Sequence, residues 1–220
     1  MNYLQMAQKV REIVGITGSG PSSVNTSGPE SVILSLVNAS WQDIQNARQD
    51  WKWMRDVKTF STTAGKSTYT ITDLFTSTNR FKSWYKETFK ILLNSSYNLL
   101  VYVDPVDYEL MFSLDTQQKV PTMFTIDIDS NAFITTPPDS VYQISAEYKK
   151  SNQVLIQDTD TPEVHSDYHL LIVYDAVARY AISIGFTSLY LEYSKRADTL
   201  LSDLMRSQIP AKTIRLQGIA

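Results

Sequence analysis

Residues 64–67 read Ala-Gly-Lys-Ser and end like a phosphate-binding loop. Such a loop, G-x-x-x-x-G-K-[ST], needs a first glycine five residues before the second, because the backbone curls there to direct its amides at phosphate. That position holds Phe60, and both flanks are rich in threonine and aromatic residues, which favours strands rather than a following helix. We therefore predict a β-hairpin with Gly65 at positive φ and Lys66 as a solvated turn residue.

Two histidines, His165 and His169, are four residues apart, a spacing that can chelate zinc from one face of a helix. Nearby carboxylates are Asp158, Asp160, Glu163 and Asp167. A catalytic zinc site needs three protein ligands in fixed geometry, and the sequence indicates no third ligand. The segment also precedes a predicted helix, where Ser166 and Asp167 are expected caps. We predict no metal site.

Paired acids are the other candidates for chemistry. Asp127 and Asp129 could act as the two carboxylates of a glycosidase, which lie about 5 to 10 Å apart across a cleft. Strand alternation places both on one face, and a solvated face or a turn is the simpler interpretation. The chain has no G-x-S-x-G motif and no cysteine, which leaves no serine-hydrolase elbow and no thiolate nucleophile. We expect no enzyme activity and no cofactor.

Composition limits the class of protein and its partners. The 220 residues, with 43% hydrophobic and 20% charged side chains, suit one large folded domain or two small ones. A net charge of −3 argues against a protein whose main function is to bind nucleic acid. Affinity for nucleic acid comes largely from lysine and arginine side chains that neutralise phosphates. No run approaches the ~20 apolar residues that span a bilayer, and we expect neither a membrane anchor nor a secretion signal.

Helical periodicity marks the first part of the chain. A short amphipathic helix is predicted up to Gly15, followed by a loop rich in Gly, Ser and Pro. The strongest helix prediction runs from Glu30 to about Asp56, with polar residues such as Gln42 and Gln45 opposite the apolar face. At ~1.5 Å per residue this helix would be about 40 Å long.

Two-residue periodicity replaces the helical pattern between Lys58 and Gln157. Strands are predicted at 89–93 and 99–103 around a polar turn, and then in "MFTIDI", "NAFIT" and "VYQISAEY". A short helix is expected after Asp104, with Pro105 at its first position. We predict an antiparallel meander. The helical period then returns at 170–184 and 188–209, as two antiparallel neighbours.

These elements predict an α+β fold, because each helix has one apolar face that must find another. The expected architecture is a four-helix bundle formed by the N- and C-terminal helices, with an inserted antiparallel β domain. Residues 1–57 and 158–209 would form the two parts of the helical domain. Residues 58–157 would form the β domain with its one short helix, and residues 210–220 an extended C-terminal arm.

Tryptophan and the C-terminal segment supply the candidate interaction residues. Trp41 and Trp51 fall on the apolar stripe of the predicted long helix, whereas Trp53 falls off it and is an interface candidate. After Pro210, apolar and polar residues alternate as in an arm that pairs with the sheet edge or groove of a partner. A frayed tail explains the same residues equally well. The candidate arm residues are Arg206, Pro210, Lys212, Ile214, Arg215, Leu216 and Ile219.

Several segments together resemble a known family. They are "YLQMAQKVREIVGITGSGP", "WQDIQNARQDWKWM", "TTAGKSTY", "VPTMF" and "DTDTPEVHSDYHLLIVYDAVARYA". This combination resembles the head-to-tail adaptor, or connector, proteins of tailed bacteriophages, including the tail tubular protein A type of short-tailed phages. The likeness extends to about Ile209.

The resemblance implies a structural virion protein at the head-tail junction, made in the bacterial cytoplasm. Such proteins assemble as a ring, usually of twelve copies, beneath the portal protein, and double-stranded DNA passes through without specific contacts. Portal docking would fall on the C-terminal extension, here Pro210 to Ala220, and the β domains or loops would meet the next tail or nozzle component. No membrane partner is implied.

A binding module is the alternative function. The β domain could instead bind carbohydrate or a host surface as a tail component, using Trp84, Tyr97, Tyr102 or Tyr142 as stacking residues.

Overall fold

The computed structural model describes residues 1–18, 20–48, 50–75, 80–112, 117–129 and 131–208. Within these residues the protein is a mixed α+β fold with six helices and two sheets. The chain forms two compact units. Met1–Trp53 pack with Asn152 and the described residues after it, and Met54–Ser151 form the second unit. We call these the helical unit and the sheet unit.

The helices are α1 (Tyr3–Val14), α2 (Pro29–Asn46), α3 (Ile71–Leu74), α4 (Pro105–Phe112), α5 (His169–Ser183) and α6 (Thr187–Gln208). The strands are β1 (Arg55–Ser61), β2 (Thr68–Tyr69), β3 (Phe81–Trp84), β4 (Lys90–Leu93), β5 (Ser96–Leu99), β6 (Val101–Tyr102), β7 (Met123–Ile126), β8 (Phe133–Thr135) and β9 (Gln143–Lys150). Short 3₁₀ turns occupy Lys52–Met54, Lys86–Thr88 and Ser166–Tyr168.

The first helix ends where the sequence predicts. Asn2 caps α1 by accepting a hydrogen bond from the Gln5 amide at 2.8 Å, and Gly15 adopts a left-handed φ of 78° just after the last turn. A residue with a side chain would be strained in that conformation, which is why glycine commonly ends helices. Met6 and Val10 are buried on the inner face. The predicted amphipathic helix is confirmed.

The second helix is shorter than predicted. It ends at Asn46 instead of near Asp56, so its 18 residues span about 27 Å. The chain then turns back, and the indole Nε1 of Trp51 donates to the carbonyls of Ile44 and Gln45, each at 3.1 Å. Those carbonyls belong to the last turn and have no partner within the helix. The apolar spacing continues past Asn46 because Trp51 and Met54 are buried, although neither belongs to α2.

The predicted polar face of α2 is also partly wrong, because Gln45 is only 2% exposed. Its amide oxygen accepts from the Gln153 backbone at 2.7 Å, and its amide nitrogen donates to the Gln153 carbonyl at 3.0 Å. Asn38, two turns earlier, makes the same pair of bonds with the Leu155 backbone at 3.0 and 2.7 Å. Side-chain amides of α2 therefore act as a strand-like partner for the segment that re-enters the helical unit.

Helix α5 lies at the centre of the helical unit and packs against α1, α2 and α6. Its alanines Ala176, Ala178 and Ala181 are buried, and their small side chains allow neighbouring helices to approach closely. A short link with Gly185 at a φ of 75° joins α5 to α6, which confirms the two predicted neighbours. A link of this length makes them antiparallel.

The sheet unit is not the meander that the sequence predicts. One sheet has the order β1-β9-β4-β5, with β3 also paired to β9, and the other has the order β2-β8-β7-β6. Pairing is antiparallel except between β6 and β7, which are parallel. The longest strand, β9, is central because Ile144, Ser145 and Ala146 are all buried, so both of its faces are covered.

The hairpin predicted around Gly65 is wrong, although its turn is confirmed. β1 pairs with β9, with Thr59 opposite Ser145, whereas β2 pairs with β8 in the other sheet, with Thr68 opposite Ile134. Gly65 does have a positive φ of 77°. The turn is anchored on the connection between β8 and β9, where the Pro138 carbonyl accepts from the Gly65 amide at 2.8 Å.

Of the two strands predicted around a polar turn, the first is confirmed as β4, whereas the second is misplaced. Residues 96–98, predicted as turn, belong to β5, which is exposed throughout and pairs with β4 across a two-residue turn at Asn94 and Ser95, both with positive φ. The predicted strand at 99–103 is divided between the end of β5 and β6, which lies in the other sheet. The predicted short helix is confirmed. Helix α4 begins at Pro105, and the Asp104 carboxylate accepts from the Val106 amide at 3.2 Å. The core of the sheet unit is a cluster of buried aromatic and aliphatic residues that includes closely packed rings, with Phe89 and Phe124 at 4.2 Å between centroids.

Candidate functional site

The residues that resemble a phosphate-binding loop make hydrogen bonds and an ion pair within the protein. The Lys66 amide donates to the Thr63 carbonyl at 3.0 Å, and the Ser67 carbonyl accepts from Thr135 at 2.9 Å. Lys66 Nζ lies 3.0 Å from the Asp73 carboxylate, so this half-exposed lysine is ion-paired as well as solvated. Hydrogen bonds from the Thr70 amide and then from Lys66 lower the pKa of Asp73. The segment leads into a strand and the four-residue α3, not into the long helix of a nucleotide site.

The two histidines have separate environments. His165 is exposed, and its Nδ1 lies 3.5 Å from the Asp167 amide in a capping contact. His169 is 5% exposed, with Nδ1 2.6 Å from the amino group of Met1 and Nε2 3.1 Å from the Val164 carbonyl. Burial, and then the positive charge of the amino group, lower the pKa of His169.

The carboxylates near the histidines accept hydrogen bonds from backbone amides. Asp158 accepts from the Val24 amide at 2.6 Å, and Asp160 accepts from the Ile156 and Gln157 amides at 2.7 and 2.8 Å. Across the part of the chain that the structure describes, no group of three His, Cys, Asp or Glu side chains is arranged to hold a metal ion.

The paired acids lie at the end of β7. Asp127 begins the turn to β8, where its amide donates to the Ala132 carbonyl at 3.0 Å and its carboxylate lies 3.4 Å from the Asp129 amide. Asp129 is exposed at this turn. Asp127 also lines a pocket of about 380 Å³ between α4 and the strands β7 and β8, and Glu109 of α4 lines the same pocket. The sequence did not indicate this juxtaposition, because the two carboxylates belong to different elements, α4 and the end of β7, whose packing no local spacing shows.

Three tryptophans form a stack in the helical unit. The Trp53 ring lies 4.4 Å from that of Trp51 and 6.3 Å from that of Trp41, with nearly parallel planes. Trp41 and Trp51 are fully buried, as predicted, whereas Trp53 is half-buried. The indole nitrogen of Trp53 is itself buried and lacks a hydrogen-bond partner among the described residues. Its role as an interface residue remains a prediction.

The aromatic residues of the alternative binding function do not form an open platform together. Trp84 is 7% exposed, packs in the core cluster and donates to the Asn131 carbonyl at 3.1 Å. The Tyr142 hydroxyl donates to Asp139 at 2.7 Å, and the Tyr102 ring lies under Lys86 at 4.1 Å. Tyr97, half-exposed, has Lys90 over its ring at 4.8 Å.

The candidate arm lies almost entirely outside the described residues. Only Arg206, near the end of α6, is described, and its guanidinium lies 3.6 Å from Asp203 at an exposed position. Pro210, Lys212, Ile214, Arg215, Leu216 and Ile219 fall beyond the last described residue.

An exposed apolar patch at the turn between α5 and α6 was missed by the sequence predictions. Its members are Ile182, Ile184, Phe186 and Leu191, each more than half exposed. A sequence signal existed, since residues 180–191 contain no charged side chain. Exposed apolar patches mark interaction sites. None of the described helices is long and apolar enough to cross a membrane.

The described residues form an α+β protein with a helical unit and an inserted sheet unit. The model of the SU10 adaptor protein family matches residues 1–214, nearly the whole chain, and the protein belongs to this family of phage head-tail adaptors. The predicted resemblance is therefore confirmed at the level of the family. No curated protein matches the chain. Family membership makes the chain a structural component of a phage virion, with portal or tail partners and self-association.

Proposed function

We propose that this chain forms a ring between the portal protein and the tail, usually of twelve copies, and that double-stranded DNA passes through the ring. The observation that carries the proposal is the adaptor-family match across residues 1–214, because it includes both the helical unit and the sheet unit. The protein would be made in the host cytoplasm, act without catalysis or a cofactor, and belong to the tail tubular protein A type.

The exposed surfaces support an assembling protein. A solitary subunit leaves Ile182, Ile184, Phe186 and Leu191 in contact with water, and covering them on association would be favourable by about 25 cal/mol per Å². A net charge of −3 suits the wall of a conduit, since a basic wall would retain the polyanion by neutralising its phosphates. The sheet unit would face the next tail or nozzle component.

Portal attachment would use the arm of residues 210–220, together with Arg206 at its base. The four long helices would form one bundle that holds the arm in place, with α5 in contact with the other three. In the arm, Ile214, Leu216 and Ile219 alternate with polar residues, a pattern that fits addition to a sheet edge or groove. Lys212 and Arg215 add positive charge without a nearby acid in sequence.

Electron microscopy of the chain mixed with its portal protein tests the proposal. We expect class averages that show a ring with a central hole stacked on the portal. Deletion of residues 210–220 should abolish attachment and leave the circular dichroism spectrum unchanged, because the deletion begins after α6 ends at Gln208 and leaves every described helix and strand intact. The matched control is Lys212→Gln with Arg215→Gln, which keeps the length and apolar pattern and should weaken attachment only partly.

Two results would contradict the proposal at different points. A chain that remains solitary in the presence of portal protein, and inside finished particles, would refute the ring. A deletion variant that still attaches would refute the arm while leaving the ring intact.

A further inference from the structure

The first sheet of the sheet unit has two free edges. Its strands follow the order β1-β9-β4-β5, so among the described strands β1 and β5 each pair on one side only. A free strand edge presents unpaired backbone N–H and C=O groups, which are a template for another strand. Natural proteins protect such edges with charged side chains, yet β5 is exposed throughout and residues 91–103 contain no charge. The β5 edge is therefore unprotected.

The free edge of β1 carries two unoccupied amides, those of Thr59 and Ser61. The Thr62 amide donates to the Tyr142 carbonyl at 2.8 Å, and this pair continues the register in which Ser61 lies opposite Gln143. Because hydrogen bonding alternates along an antiparallel pair, Ser61 and Thr59 direct their backbone groups away from β9. No described residue forms a hydrogen bond with these two amides on that side.

A groove lies beside the same two residues. It has a volume of about 360 Å³ and is lined by residues 58–61 of β1, by the turn around Gly65 and by α3. Successive side chains of a strand point to opposite faces, so a groove that touches four successive residues runs along the edge of the strand. Beyond the groove the edge is occupied, because the Asp56 carboxylate accepts from the Val57 amide at 2.8 Å. The open part of the edge therefore matches two hydrogen-bonding residues of an added strand.

Strand β5 offers two such residues, Tyr97 and Leu99. The Leu100 amide donates to the Phe89 carbonyl at 2.9 Å, in continuation of the register between β5 and β4. Alternation then directs the backbone groups of Leu99 and Tyr97 away from β4, toward the free edge. Each edge thus presents two outward residues spaced two positions apart.

Exposed apolar side chains of the sheet lie at these two edges and on one face. Ile91 and Ile144, on neighbouring strands, point into the aromatic core. Alternation therefore places Tyr97 and Leu99 of β5, and Val57 of β1, on the opposite face. These three side chains are 52%, 71% and 56% exposed. Placing β5 of one copy beside β1 of another brings them together and removes apolar area from water.

The strand directions are compatible with pairing between two copies. The pairs β1–β9, β9–β4 and β4–β5 are all antiparallel, so β1 and β5 of one chain run in opposite directions. A second copy in the same orientation therefore places its β5 antiparallel to β1 of the first and continues the alternation. Such a contact joins two different surfaces, and contacts of this type form a ring when the rotation between copies closes.

We propose that β5 of one copy pairs with β1 of the next copy in the ring, with Leu99 opposite Thr59 and Tyr97 opposite Ser61. This register uses the two unoccupied amides of β1 and leaves the contact between Asp56 and the Val57 amide in place. The pairing rests on the ring proposed above and assigns one of its subunit contacts to the sheet unit.

Cysteine cross-linking tests the pairing, because the chain contains no cysteine. The variant Thr59→Cys with Leu99→Cys is assembled with portal protein and then oxidised. Residues opposite each other in a hydrogen-bonded antiparallel pair have Cα atoms roughly 5.5 Å apart, within the range of about 4.4 to 6.8 Å that disulfides span. We expect a non-reducing gel to show a ladder of linked chains that extends to the full ring.

Two controls define the register and the type of contact. Ser61→Cys with Leu99→Cys places the cysteines diagonally, with Cα atoms roughly 7 to 8 Å apart, so the yield of linked chains should be at least about fivefold lower. An equal or higher yield from this control would overturn the register. Each single variant, Thr59→Cys or Leu99→Cys, should give no linked chains, and dimers from either one would show that identical edges pair instead.

A pair of charge variants tests the same contact without disulfides. Thr59→Asp with Leu99→Asp places like charges opposite each other at every junction, whereas Thr59→Lys with Leu99→Asp places opposite charges there. Electron micrographs should show at least about tenfold fewer rings for the first variant and a number within about twofold of the unmodified chain for the second. Circular dichroism checks that both variants fold.

The results distinguish failure of the pairing from failure of the ring. Rings that form without linked chains from Thr59→Cys with Leu99→Cys, or equal loss of rings in the two charge variants, would overturn the pairing and leave the ring intact. Links from position 59 to the portal or to another tail protein would show that a different partner occupies the β1 edge. An unmodified chain that stays solitary with portal protein would refute both.

Discussion

The tryptophan stack of the helical unit allows one substitution to be compared at two adjacent sites. Trp51→Phe and Trp53→Phe remove the same atoms from rings whose centroids are 4.4 Å apart. The Trp51 indole donates to the carbonyls of Ile44 and Gln45, whereas the Trp53 indole nitrogen has no partner among the described residues. The two variants therefore differ chiefly in whether a hydrogen bond is lost.

The expected free energies follow from these contacts. Trp51→Phe loses about 1 to 2 kcal/mol of apolar burial and leaves two carbonyls at the end of α2 unpaired, at roughly 1 to 3 kcal/mol. We expect a total loss of about 2 to 5 kcal/mol. Trp53→Phe loses less burial, because the residue is half-buried, and also removes an unpaired buried N–H, so we expect a change within about 1 kcal/mol of zero.

Equilibrium urea unfolding of the full chain, followed by circular dichroism at the helix band, measures the difference. With a slope of about 2 to 3 kcal/mol per molar urea, Trp51→Phe should lower the midpoint by about 1 to 2 M and Trp53→Phe should barely move it. Hydrogen exchange at α2 separates unfolding of the helical unit from that of the sheet unit. Equal midpoints for the two variants would refute the argument that the Trp51 indole caps α2.

Three further predictions concern the turn at Gly65, the β4–β5 hairpin and His169. Gly65→Ala should lower the free energy of unfolding, measured in urea, by about 1 to 2 kcal/mol. The reason is that Gly65 has a φ of 77° and that an added Cβ atom would lie 3.2 Å from the side-chain amide nitrogen of Gln118. Unchanged stability would contradict the assigned turn. Ser95→Gly should stabilise it by about 0.5 kcal/mol, seen as a raised melting temperature, since Ser95 has a φ of 65° in a two-residue turn. The pKa of His169 is lowered in the folded state, so the unfolded chain binds more protons as the pH falls below about 6.5. The urea midpoint should therefore fall from pH 7.5 to pH 5, and His169→Gln should reduce that fall; an unchanged pH dependence would contradict the assignment.

Local structure was predictable wherever a few adjacent residues decide it. Gly15 and Gly185 each follow a helix in a left-handed conformation, and Asp104 with Pro105 begins α4. These features depend on φ preferences and capping hydrogen bonds that act within one turn. The α+β class followed from the change in hydrophobic period along the chain, because helices and strands bury faces at different spacings.

Strand pairing was not predictable, because alternation identifies a strand but not its neighbour. β1 and β9 pair with Phe60 opposite Ile144, residues that are far apart in the sequence. The length of α2 was wrong for a related reason. Trp51 keeps the helical spacing of its apolar neighbours, yet it is buried by a reversal of the chain that only tertiary contacts reveal.

The candidate sites show the same limit. Lys66 and His165 were candidates because of their side-chain chemistry. In the structure Lys66 lies in a turn and pairs with Asp73, and His165 makes a capping contact with the Asp167 amide. Glu109 and Asp127 line the same pocket from different elements, one from a helix and the other from the end of a strand. No local spacing in the sequence predicts that they share a pocket. Conversely, the uncharged run of residues 180–191 is visible in the sequence, and its exposed apolar side chains are the kind of surface that marks an interaction site.

The pairing of β1 with β9 has an evolutionary consequence. Arg55 lies opposite Lys149, so the first and last strands of the sheet unit start and finish side by side, with facing Cα atoms roughly 5 Å apart. An insertion with adjacent ends can be exchanged as a cassette, because the host polypeptide on either side needs only a short bridge to remain continuous. Recombination that replaces the whole sheet unit would therefore leave the path of the helical unit unchanged.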